Sequence, residues 1–203
     1  MSLSTSYRMS AYALMLCGLF IIIKKTIIEP LLPLNIITYN VGTLAVVLGF
    51  MAFPAFYLFQ REASGRLGQL GFLINWLALG LACGLEFAKN SIFPYLEPSV
   101  LQALLAGPTH LVLLSVGLIF LSGVILFGAA TFRAGVYPRI AAVLYIVGFV
   151  PYSLSPLFPA VVVAIGQLLG AFSIIWFGYT LWMSTRKTET IQTGQMTPVH
   201  AEG

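Results

Sequence analysis

Apolar residues run along this chain in long unbroken blocks, and polar residues are confined to short stretches between them. The clearest block is 111–132, LVLLSVGLIFLSGVILFGAATF, which is 22 residues without a charge and is followed at once by Arg133. As a helix it measures about 33 Å, enough to cross a hydrocarbon core of ~30 Å. It lacks the polar face that a water-exposed helix carries, so it predicts a helix lying in lipid.

The other blocks repeat the pattern. Arg8 opens a span over about 9–28, which carries Lys24 and Lys25 in its last turns and is stopped by Pro30 and Pro33. A second span over about 34–59 contains Pro54, which should kink it by removing a backbone donor. The polar segment 60–66, QREASGR, reads as a loop to a third span over about 67–88. Between 90 and 108 turn residues dominate, and the short apolar piece 99–106 is expected in the interface or as a re-entrant segment. The fourth span is 109–132. Residues 140–185 then hold no charge. A single helix of that length would be about 69 Å long, so it must double back. Pro151, Pro156 and Pro159 mark the turn, which gives spans at about 140–154 and 160–183. The first span is read as retained, because no small-residue cleavage site follows it. The expectation is an all-α polytopic bundle of six transmembrane helices over 1–187, with a polar, disordered tail over 188–203.

Six spans put both termini on one side. Arg8, Arg61, Arg66, Arg133, Arg139, Arg186 and Lys187 fall on that side, against Lys24, Lys25 and Lys89 on the other. The positive-inside bias makes the termini cytoplasmic, and the expected location is the bacterial cytoplasmic membrane. Composition agrees: 8% of residues are charged, against about 25% in a soluble domain. The net charge of +4 is spread over span ends and gathered on no face, which argues against nucleic acid as a partner. Cys17 and Cys83 lie inside apolar blocks and read as small buried hydrophobes.

Candidate chemistry is sparse. The outer end collects Lys24, Lys25, Glu29, Glu86, Lys89 and Glu97, with His110 in the first turn of the fourth span. This group reads either as a polar vestibule or as ordinary charge at headgroup level, with Glu86 paired to Lys89 three residues on. No spacing of His, Cys or carboxylates suggests a metal, and no cofactor is expected. His110 is the one residue that could ligate a single pigment or haem. Asn75 and Gln167 are the deepest strongly polar side chains of their spans and are expected to hydrogen-bond across helices. Gly80 with Gly84, and Gly166 with Gly170, have the small-xxx-small spacing that lets helices approach closely. Ser115, Ser122 and Ser173 have no histidine or carboxylate nearby in sequence, so no catalytic residue is expected.

Residues 128–144, GAATFRAGVYPRIAAVL, carry an Arg-Ala-Gly-x-x-Pro-Arg turn between two apolar helices. This segment resembles a loop of uncharacterised bacterial integral membrane proteins of about six helices. The resemblance implies the topology and carries no activity. With every charge placed near a span end, the first functional expectation is a non-enzymatic accessory or scaffolding subunit packed against other membrane subunits. The alternatives are a small transporter or lipid- or isoprenoid-binding protein entered through the outer polar cluster, and a pigment- or haem-binding protein using His110.

Overall fold

The computed structural model describes residues 3–32 and 35–195, and among them the fold is helical with no strand. Helix α1 (Leu3–Ile23) passes directly into a π-helical turn, Lys24–Ile28, and a last short turn, α2 (Glu29–Leu31). Helix α3 (Ile36–Ser91) is divided at Gly65, whose φ of 56° and ψ of −153° are not helical. Glycine, with no Cβ, takes that left-handed φ without strain. The two arms, 36–64 and 66–91, fold back on each other, with Phe53 and Tyr57 stacking on Phe72 and Phe50 on Trp76. A 3-10 turn (Phe93–Tyr95) and α4 (Pro98–Ala106) lead to α5 (Pro108–Ala134). Helix α5 stops at Gly135, left-handed at φ 65°, whose N–H caps the Thr131 carbonyl. Helices α6 (Arg139–Ser153) and α7 (Ala160–Gln195) follow, joined through a second 3-10 turn, Ser155–Leu157.

Four helical stretches are long and apolar enough to cross a membrane: Thr5–Leu31, Asn40–Tyr95 with its two arms, Pro108–Ala134 and Ala160–Arg186. Helix α6 is apolar but has 15 residues, about 22 Å of rise.

Each helix runs antiparallel to its neighbours, and the neighbours close into a ring: α1, the first arm of α3, the second arm, α5, α6, α7 and α1 again. Glycine seams set several of these contacts. A Cβ on Gly123 would stand 2.6 Å from the Asn75 Cα, and one on Gly71 2.7 Å from the Phe127 Cα, so α5 meets the second arm backbone to backbone. Gly148 of α6 faces both Gly166 and Gly170 of α7, and a Cβ on Gly166 would stand 2.6 Å from the Gly148 carbonyl oxygen. Gly18 and Gly178 do the same between α1 and α7.

Several local expectations need correction. Residues 60–64 are not a loop: the helix continues through them, and Gln60 is buried, donating to Thr131 Oγ1 at 2.8 Å. Pro54 lies within helical backbone, and the non-helical residue of α3 is Gly65. Gly80 and Gly84 do not mediate close approach. A Cβ on Gly80 would make only an ordinary contact with the Phe50 ring at 3.4 Å, and Gly84 is exposed with nothing within 4 Å. Spacing alone selects a stripe on a helix without saying what faces it. The expected tail begins inside α7, which runs on to Gln195; adding a residue to a formed helix costs little. Residues 196–203 lie outside the described residues.

Gly84→Leu is therefore expected to leave the thermal midpoint of the detergent-solubilised protein unchanged or slightly raised, since leucine is the better helix former by almost 1 kcal/mol. A drop of several degrees would mean that this face is packed.

Candidate functional site

The ring encloses a cavity of about 500 Å³, to which α1, both arms of α3, α5, α6 and α7 all contribute. Its lining is mostly apolar, from Leu14 and Val46 to Phe120 and Phe149. A volume of that size is in the range that holds a small molecule. Gly42 at the mouth and Phe56 at the floor are separated by fourteen residues of α3, a depth of about 21 Å.

The floor is aromatic. Phe56 of the first arm reaches Phe177 of α7, centroids 4.7 Å apart, and Phe53 reaches Phe127 of α5 at the same distance. Below them lies Tyr137, from the turn between α5 and α6. Its ring is edge-on to Phe56 at 4.7 Å and to Phe177 at 5.3 Å, and its hydroxyl donates to the Phe56 carbonyl at 3.3 Å. Tyr137 is 2% exposed, and burial pushes its hydroxyl well above the usual tyrosine value. It plugs the end of the ring where the arginines gather.

The mouth is charged and lies at the opposite end. Glu86, 7% exposed, accepts hydrogen bonds from Lys89 Nζ at 3.3 Å, Asn90 Nδ2 at 3.2 Å and the Tyr152 hydroxyl at 3.2 Å. Asn90 also donates to Thr43 Oγ1 at 3.0 Å, and that hydroxyl donates to the Glu86 carbonyl at 3.3 Å. Lys24 Nζ lies 3.6 Å from Glu86 Oε2, too far for a hydrogen bond. Lys25 Nζ donates to both carboxylate oxygens of Glu29, at 2.8 and 2.9 Å. The π-helical turn sets Lys24 and Lys25, adjacent in sequence, both into the lining of the mouth. Single π-turns recur at functional sites. Gly42 makes room for Lys24: a Cβ there would stand 2.9 Å from the lysine's Cδ.

The expected outer cluster thus comes together only in part. Lys24, Lys25, Glu29, Glu86 and Lys89 line one mouth, while Glu97 and His110 are exposed and outside the lining. Glu86 is not a solvated surface charge, because three elements cover it. Asn75, fully buried, donates through Nδ2 to the Tyr145 hydroxyl and ties the second arm to α6. Gln167 makes no hydrogen bond to another helix among the described residues. It lines the cavity, and its Oε1 is buried with no hydrogen-bond partner among the described residues. Tyr152, Asn90 and Thr43 are not legible in the sequence, where a lone Tyr, Asn or Thr near a span end carries no signal. Among the described residues no group of three or more His, Cys, Asp or Glu is placed to hold a metal ion.

No protein family, curated protein or solved structure matches the chain significantly.

Proposed function

We propose that this chain is an integral membrane protein of six crossing segments that binds a small amphipathic molecule, a lipid or isoprenoid, in the cavity of its helix ring. The outer surface supports the membrane setting. Leu70, Leu73 and Leu77 of α3, Val143 and Val147 of α6 and Ile165 and Phe172 of α7 are all exposed, far more apolar surface than a soluble monomer presents. The six arginines and Lys187 fall at one end by sequence, and the positive-inside bias supports a cytoplasmic position for that end and both termini. The mouth of the cavity then opens at the outer face.

The observation that carries the binding function is the polarity of the cavity: apolar walls and an aromatic floor under a charged rim. An amphiphile would bury its apolar body against the walls, at about 25 cal/mol per Å² removed from water, and keep its head among the charges. The accessory-subunit expectation rests on the absence of charges deep in the spans, and it offers no use for a cavity with a charged mouth.

Gentle extraction from native membranes followed by native mass spectrometry tests this reading. The expected result is a lone protein carrying a stoichiometric small molecule that organic solvent releases. Stoichiometric co-migration with a larger complex, with no small molecule retained, would overturn it in favour of the accessory subunit.

A further inference from the structure

We infer that the cavity selects a single-chain amphiphile with an anionic head, a carboxylate or phosphate monoester, and that Lys24 is the residue that holds the head. The inference rests on the cavity being a ligand site and adds the class of ligand.

The argument is one of charge pairing. Five charged side chains line the mouth: Lys24, Lys25, Glu29, Glu86 and Lys89. Glu29 is taken by Lys25, and Glu86 by Lys89 together with Asn90 and Tyr152. Lys24 is left over. It is an ammonium with three donors that makes no hydrogen bond among the described residues, and its side chain is 19% exposed at the head of an apolar chamber. A cationic head would have to displace donors from a carboxylate that already accepts three hydrogen bonds. An anionic head meets an ammonium held only by that long ion pair, and Glu86 keeps its three other partners when Lys24 leaves it. The walls take one apolar chain, and about 500 Å³ leaves no space for a second chain beside it.

The test uses the full-length protein in nanodiscs of neutral phosphatidylcholine and a diazirine-bearing palmitate as photoprobe. Label is expected on cavity-lining residues such as Phe149 and Val163. Unlabelled palmitate and hexadecyl phosphate should compete about tenfold better than hexadecanol of the same chain length, the size of one charge-assisted hydrogen bond. Hexadecylamine should compete less well than hexadecanol. Lys24→Met, checked for an unchanged elution volume and thermal midpoint, should erase the preference for anions, and Lys24→Arg should keep it. Cavity labelling with equal competition by acid and alcohol would overturn the head-group assignment and leave the amphiphile site standing. So would better competition by the amine, or a preference for anions that survives in Lys24→Met. Label confined to bilayer-facing residues would overturn the cavity as a ligand site altogether.

Discussion

Gly123→Leu is expected to destabilise the protein by about 3 kcal/mol or more, at the upper end of what overpacking costs. A Cβ at this position would stand 2.6 Å from the Asn75 Cα and 2.7 Å from the Asn75 nitrogen. Those are backbone atoms, so no side chain can rotate away, and α5 must separate from the second arm of α3. The separation would also disturb the hydrogen bond from Asn75 to the Tyr145 hydroxyl, a tie across the ring wall. For a chain of this size the thermal midpoint should fall by about 6–12 °C. The measurement is thermal unfolding in mild detergent, with Gly84→Leu as the parallel control. Equal midpoints for the two variants would mean that the helices do not meet along the glycine seam.

Glu86→Leu should have the second large effect. Glu86 anchors donors from the second arm and α6 and sits 3.6 Å from Lys24, so its loss leaves two ammoniums facing each other and the Tyr152 hydroxyl unpaired, while Asn90 keeps Thr43. Removing one partner of a fully buried pair costs 3–5 kcal/mol. Here the Lys89 side chain is 49% exposed and water relieves part of the loss, so about 2 kcal/mol is expected. Adding Lys24→Met should recover part of that, because it removes the repulsion. A double variant whose loss is the plain sum of the two single losses would show that Lys24 and Glu86 do not interact.

The helices were legible because apolar blocks and arginines punctuate the chain in a way that length arithmetic can read. The connections were less so. Segment 60–66 looks like a loop by polarity, yet Gln60 is buried by a partner, Thr131, that lies 71 positions away. The packing seams were partly hidden too. Gly166 and Gly170 have the recognised spacing and do meet Gly148, but Gly71 and Gly123 are isolated in sequence and only the fold sets them against Phe127 and Asn75. Gly80 and Gly84 have the spacing, yet Gly80 meets only the Phe50 ring at ordinary contact distance and Gly84 meets nothing within 4 Å. For the site, the charged residues could be listed but not paired. That Glu86 is enclosed follows from Tyr152, 66 positions on, and Lys24 reaches the mouth from a π-turn that the sequence does not announce.

The tyrosine beneath the aromatic floor also bears on traffic. With Tyr137 wedged between Phe56, Phe59 and Phe177 and latched to the Phe56 carbonyl, the ring is a cup rather than a pipe. On the proposed reading, a molecule taken in at the rim would go back out over the rim, and such a vessel would suit pick-up and hand-over on one side of the bilayer. Through-passage would demand that the short turn holding the stopper be pulled clear.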